Sequence, residues 1–182
     1  MTNTDPPATG PVGPAGPISF VGMAGVGKSS VAARVAGRLQ RPFVDLDHHI
    51  VDLAGAPIEE IFRTVGETGF REAERASLLT VLDDPEGPVV ATGGGVVVRA
   101  DNRADLSARS WCVWLDASRD ELVARLSLSP GRRPLIGTDI AASVDRLIGE
   151  RTGWYQEVAA VRIDTTGVTV NEVVDRVLGA LA

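Results

Sequence analysis

Ile18-Ser19-Phe20-Val21-Gly22-Met23-Ala24-Gly25-Val26-Gly27-Lys28-Ser29 is the stretch from which the fold class can be read. Ile18–Val21 reads as a short buried strand, and a helical pattern runs on from the glycines to about Leu39. Between them, Gly22 to Ser29 matches the P-loop pattern in full. The glycines let the backbone curl into a nest whose amides point at phosphate oxygens. The helix that follows presents its positive end to the same anion. Lys28 is placed to reach the β and γ phosphates, and the Ser29 hydroxyl to bind magnesium. A plain glycine-rich turn would leave the lysine, the serine and both flanks unexplained. The motif points to a nucleoside triphosphate and leaves the reaction open.

Outward from this loop, short apolar runs alternate with amphipathic stretches. Further strands are expected at Pro42–Leu46, Val89–Ala91, Trp111–Leu115 and Val161–Asp164. Helices are expected at Asp47–Ala54 and Pro57–Thr64, split by Gly55, and then at about Glu67–Leu82. Others follow at Arg119–Ser127, Ile140–Glu150 and Asn171–Leu181. Apolar strand runs separated by helices indicate a parallel sheet covered on both faces. The expected class is α/β, with ligands at the carboxyl ends of the strands.

The composition narrows the class of function. At 182 residues, 44% of them hydrophobic, the chain suits one domain with a core that needs no staple. The single cysteine, Cys112, sits in the apolar run Trp111–Leu115. It excludes an internal disulfide and reads as a buried, inert thiol, which fits a reducing compartment. A formal net charge of −6 argues against a nucleic-acid or membrane-surface partner. No apolar run approaches the roughly 18 residues that a membrane span needs. The N-terminus lacks a secretory pattern, so the cytoplasm is the expected location. Residues 1–17, rich in Pro, Gly and Thr, are expected to form a disordered tail before a domain over 18–182.

Several clusters at the expected strand ends carry candidate chemistry. Asp45 and Asp47 are two apart, so in extended geometry they share a face near the phosphates. Asp45 could hold magnesium directly or through water, and Asp47 could take a proton from an acceptor hydroxyl. The plainer reading is that Asp47 caps the next helix. His48 and His49 diverge by about 100° on a helix, and read as solvent-facing or packing residues. Arg71 and Glu74 are three apart on a helix. Spacing alone favours a surface ion pair, worth under about 1 kcal/mol. The alternative is a guanidinium held by Glu74 to grip a substrate carboxylate. Gly93-Gly94-Gly95 ends the third strand, where three glycines suit close approach of a ligand to the backbone. Ser129 to Gly137, with Arg132 and Arg133, reads as a lid over about 128–139; a solvated loop is the alternative. Glu150-Arg151 follows and could supply a second substrate arginine.

In this order and spacing the chain resembles the shikimate kinase family from about Ile18 to its C-terminus. The shared features are the Gly25-Val26-Gly27-Lys28-Ser29 core and Asp45-Leu46-Asp47, then Glu59-Ile61-Phe62, Gly66-Glu67, and Phe70-Arg71 with Glu74. Gly93-Gly94-Gly95, Asn102-Arg103, Arg133-Pro134-Leu135 and Glu150-Arg151 with Tyr155 complete them. The resemblance implies a five-stranded parallel sheet with helices on both faces, related to nucleoside monophosphate kinases, with a mobile lid. It implies ATP-dependent phosphorylation of the shikimate 3-hydroxyl on the way to chorismate, by an enzyme that is usually monomeric. By position, Gly25, Val26, Gly27, Lys28, Ser29, Ser30 and Arg133 would hold ATP. Ser29 would ligate magnesium, with Asp45 in its outer shell. Asp47, Arg71, the Gly93–Gly95 turn and Arg151 would hold shikimate, the two arginines on its carboxylate. Lys28, Asp47 and Arg133 would be catalytic.

The chain departs from the family in three places. Gly153-Trp154-Tyr155 stands where Pro-Leu-Tyr is common. The arginine near the adenine maps to Leu126, or to Arg125 if the register slips by one. A basic residue after the fifth strand is replaced by Thr166-Gly167-Val168. A kinase for gluconate, a nucleotide or another polyhydroxy acid is the second enzyme reading; the triple glycine with this aspartate and arginine set is not expected of gluconate or nucleotide kinases, while a modified shikimate-like acid stays open. A nucleotide-binding regulator without turnover is the third, and intact Lys28, Ser29, Asp47 and Arg133 count against it.

Overall fold

The sheet is built around its most apolar strand. The computed structural model describes residues 15–128 and 139–181, and within them β1 (Ile18–Val21) is buried at every position. It is flanked on one side by β3 (Val89–Ala91) and β2 (Phe43–Asp45), and on the other by β4 (Trp111–Asp116) and β5 (Val161–Asp164). The order is β2-β3-β1-β4-β5, and every pairing is parallel. Full burial on both faces is why β1, β3 and β4 read as continuous apolar runs rather than alternating ones. The chain leaves β1 for β2 and β3 on one side, then crosses to β4 on the other. That reversal opens a crevice at the carboxyl ends of β1 and β3, where open α/β sheets place their ligands.

Helix α1 (Lys28–Leu39) starts after Gly27 with no side-chain cap, which leaves its first amides open to an anion. It ends at Gln40 in the left-handed conformation (φ 54), the one non-glycine residue with positive φ among those described. A side chain there is strained, and glycine is not. Gln40→Gly should therefore raise stability by about 1 kcal/mol, measured as a rightward shift of the denaturant midpoint at unchanged slope.

Beyond β2 come α2 (Leu46–Ala54) and α3 (Ile58–Leu82). Gly66 (φ 69, ψ −174) breaks α3 into two helical pieces, as the expected gap between Thr64 and Glu67 requires. The chain then forms a 3-10 turn at Val96–Val98 and α4 (Ala100–Arg109), neither of which the sequence pattern indicates. The reason is that α4 buries only Asn102 and Leu106, so no apolar stripe marks it. Instead Asn102 Nδ2 donates to the Val96 carbonyl at 2.9 Å, and Arg75 Nη2 pairs with Asp105 at 2.5 Å.

Helices α5 (Arg119–Leu128), α6 (Ile140–Val158) and α7 (Val170–Leu181) complete the layers. α6 continues eight residues beyond the expected end at Glu150. Its buried stripe is Val144, Leu147, Arg151, Tyr155 and Val158, a helical period interrupted by one charge, so Arg151 points inward from mid-helix. Cys112 is buried in β4, and burial pushes its thiol up to about 12, as an inert cysteine should behave. The expected tail falls outside the described residues up to position 14. The expected lid, with Arg132 and Arg133, does so from 129 to 138. Pro17 accepts a hydrogen bond from the Trp111 amide at 2.9 Å.

Candidate active site

The phosphate loop carries Gly22, Gly25 and Gly27 at φ 138, 84 and 98. A β-carbon on Gly22 would also collide with the Leu115 carbonyl. Lys28 is buried and donates to the carbonyls of Gly22 (2.9 Å) and Met23 (3.0 Å). The neighbouring Ser29 and Ser30 are exposed in the first turn of α1. Ser29 Oγ donates to Asp45 Oδ2 at 2.6 Å. The other Asp45 oxygen, Oδ1, accepts the amides of Asp47 (3.1 Å) and His48 (3.3 Å). The cap of α2 is therefore Asp45, not Asp47. Its geometry requires an extended residue, which the end of β2 supplies.

Asp47 is turned to a different task. A β-carbon placed on Gly93 would lie 2.8 Å from Asp47 Oδ1 and 3.2 Å from Glu74 Oε1. Burial, and then the Asp45 charge, hold the Asp47 carboxyl above its usual range, against the pull of Lys28, His48 and Arg71. Arg71 and Glu74 do not form the surface pair that their spacing suggests. Arg71 is 7% exposed and Glu74 1%, and Arg71 Nη1 donates to Glu74 Oε2 at 2.8 Å. A second contact, Nη2 to Glu67 Oε1, spans 3.2 Å. Burial outweighs Arg71 and holds the Glu74 carboxyl above its ordinary value.

The three glycines each meet a different wall of the site. Gly93 faces Asp47 and Glu74, while a β-carbon on Gly94 would lie 3.3 Å from the Ala24 amide nitrogen in the phosphate loop. One on Gly95 would sit 2.7 Å from Arg71 Cζ, inside the guanidinium. Across the turn, Arg151 Nη1 donates to the Gly94 carbonyl at 3.1 Å. Asp47, Arg71, Arg151 and the glycine turn thus converge beside the phosphate loop. Arg71 Nε, Arg151 Nε and Glu74 Oε1 are buried without a hydrogen-bond partner. Two buried guanidinium groups with unmet donors suit a planar anion, which would satisfy them bidentately.

On its other flank the loop borders a pocket of about 330 Å³ lined by Gly25, Gly27, Arg125, Thr165, Val168 and Val170, among others. Arg125 lines it, held by Glu121 (3.0 Å) and the Thr165 carbonyl (2.9 Å). Leu126 is buried, and its Cγ would lie 3.2 Å from a β-carbon on Gly25. Of the two residues, Arg125 lines the pocket and Leu126 packs against the phosphate loop.

With the geometry in view, likeness to known proteins decides the family. A family model for shikimate kinase matches residues 24–182. The chain belongs to the shikimate kinase family. A shikimate kinase of Nitrobacter winogradskyi is 40% identical over 165 residues, covering 90% of this chain and 76% of that protein. One from Rhodopirellula baltica is 40% identical over 167 residues, covering 90% and 89%. Among solved structures, shikimate kinase from Acinetobacter baumannii in complex with shikimate matches with a TM-score of 0.86 at 32% identity. It covers 91% of this chain and 92% of that one.

Within the shikimate kinase family, the Gly153-Trp154-Tyr155 departure has a definite structural setting. Nothing lies within 4 Å of a β-carbon on Gly153. Trp154 packs under the Arg103 guanidinium, 5.2 Å from Cζ to the ring centroid. Arg103 also donates to the Val97 carbonyl (2.9 Å) and pairs with Glu157 (2.8 Å). This ties the 3-10 turn after the glycines to α6, the helix that carries Arg151. Neither Thr165 of the pocket nor the Tyr155 hydroxyl stood out as a candidate site group in the sequence. The four-residue step from Arg151 to Tyr155, which puts both on one helix face, was the available signal.

Proposed function

We infer that this chain transfers the γ-phosphoryl group of ATP to the 3-hydroxyl of shikimate, giving ADP and 3-phosphoshikimate on the way to chorismate and the aromatic amino acids. The observation that carries the substrate is the pair of buried arginines, Arg71 and Arg151, with unmet donors beside the glycine turn. They are assigned to the shikimate carboxylate, which the guanidinium fork fits. Gly93, Gly94 and Gly95 would let the ring approach the backbone. The pocket beside Arg125 is assigned to the base of ATP, and the amides of Gly25, Val26, Gly27, Lys28, Ser29 and Ser30 to its phosphates.

Phosphoryl transfer passes through a loose transition state, so positioning and charge carry most of the catalysis. Asp47 would accept a hydrogen bond from the 3-hydroxyl and take its proton as the oxygen–phosphorus bond forms and the bond to ADP breaks. Lys28 would exchange its loop carbonyls for phosphate oxygens. Arg133 is assigned to the transferring phosphate from the lid. Magnesium would be held by Ser29 Oγ, a hard oxygen donor of the kind it takes, with Asp45 Oδ2, which accepts that hydroxyl at 2.6 Å, in its outer shell. Bound there with ATP, it would neutralise triphosphate charge. No helix of the described residues is long and apolar enough to cross a membrane. A cytoplasmic monomer acting on these two small molecules, with no nucleic-acid partner, completes the reading.

Release of ADP from magnesium-ATP, with shikimate or its methyl ester, tests this function. Strong stimulation by the acid and weak stimulation by the uncharged ester are expected. ATP binding without stimulation by shikimate would overturn the substrate.

A further inference from the structure

We propose that Tyr155 is a positioning residue that fixes the acid pocket relative to the phosphate loop. The tyrosine is 1% exposed, on the inward stripe of α6. Its hydroxyl donates to the Gly94 carbonyl at 2.5 Å. The same carbonyl accepts Arg151 Nη1 at 3.1 Å, so one oxygen uses both of its lone pairs. The hydroxyl also lies 3.9 Å from Met23 Sδ, inside the phosphate loop. The ring is braced on Trp114 of β4, with centroids 6.1 Å apart and planes at 27°.

The Gly94 peptide is therefore held between two structures. On one side are Gly22 and Ala24 of the phosphate loop, which a β-carbon at Gly94 would approach to 3.4 and 3.3 Å. On the other is the Tyr155 hydroxyl. Arg151 touches the same carbonyl, but its guanidinium is also assigned to the substrate. The Tyr155 hydroxyl is spent on the Gly94 carbonyl, and so can hold the turn while Arg151 turns to its ligand. Burial pushes its phenol up to about 12, which keeps it a donor at every working pH.

This role rests on the phosphoryl transfer inferred above. If alignment supplies most of the catalysis, a small drift of the glycine turn moves the acceptor hydroxyl off line. A misplacement of about 1 Å can cost roughly 100-fold. It would leave the carboxylate grip and the nucleotide site largely intact.

The test is Tyr155→Phe, which removes one oxygen and keeps the ring. Three quantities are read against the wild type: melting temperature, KM for each substrate, and the single-turnover rate of phosphoryl transfer by rapid quench. The proposal expects the single-turnover rate to fall about 10- to 100-fold, with each KM within about 3-fold and the melting point lower by no more than about 4 °C. An unchanged single-turnover rate overturns it, whatever the melting point does. A rise in KM for shikimate alone also overturns it, because Tyr155 would then serve only the Arg151 grip. A wild type without shikimate-dependent turnover would overturn the assigned reaction, and this role with it. An active wild type and an equally active variant would overturn the role alone.

Discussion

Asp47→Asn should lose shikimate-dependent turnover by about 10²- to 10⁴-fold and at the same time melt at a higher temperature. The two halves of this result share one cause. The Asp47 carboxyl is held above its usual range by burial and by Asp45. A carboxyl whose folded pKa lies above its unfolded value favours folding in its protonated form. That advantage is present below the unfolded pKa and is lost as pH rises through the folded one. At neutral pH the ionised side chain therefore weakens the fold while it is available for the proton-accepting role proposed for it, and asparagine relieves the charge at nearly the same volume. The wild-type rate should fall on the acid side at a pH above the ordinary aspartate value of 3.8, and the asparagine variant should lack that limb. Thermal melts and a pH–rate profile check both halves. Retained turnover in the variant would sink the proton-accepting role. A lower melting point would mean that Lys28, His48 and Arg71 outweigh burial.

The second large effect is expected at Gly95→Ala. Its β-carbon would enter the Arg71 guanidinium, and the fork would have to swing out of the acid pocket. KM for shikimate should rise about 100-fold, while ATP affinity, read by nucleotide titration, stays unchanged. Unlike Arg71→Ala, this variant keeps the guanidinium charge in the chain, although the displaced Nη1 also leaves Glu74. Removing the arginine would strand Glu74, which is 1% exposed, and losing one partner of a buried pair costs about 3–5 kcal/mol. The loss of binding would then be confused with partial unfolding. An unchanged KM in Gly95→Ala would show that Arg71 does not hold the carboxylate.

What could be read in advance followed from local rules. A P-loop between a strand and a helix is fixed by backbone conformation, so Gly22 to Ser29 declares itself without tertiary knowledge. The strands announce themselves because burial on both faces leaves them uniformly apolar. Glu74 is different, because the spacing that places it beside Arg71 is the same in a surface pair and a buried one. Only the fold, by laying α3 against the glycine turn, distinguishes them. Arg151 interrupts the apolar stripe of α6 and made that helix look finished eight residues early. α4 escaped notice because its inward face is Asn102 beside Leu106, held by hydrogen bonds and ion pairs that leave no periodic trace. In each case the misreading fell where a polar side chain is buried, and for Glu74 and Arg151 that is beside the glycine turn.

The divided carboxylate of Asp45 narrows what evolution can do at that position. Oδ1 starts a helix, while Oδ2 meets the Ser29 hydroxyl where magnesium is proposed to sit. Asparagine would preserve the helix start and forfeit the negative charge. Glutamate would preserve the charge, but its extra methylene displaces the oxygen from the amides. No single replacement satisfies both demands, so a lineage that needs the reaction has little room to wander at residue 45. Ser30, one step along α1 and facing solvent, is under no such double obligation.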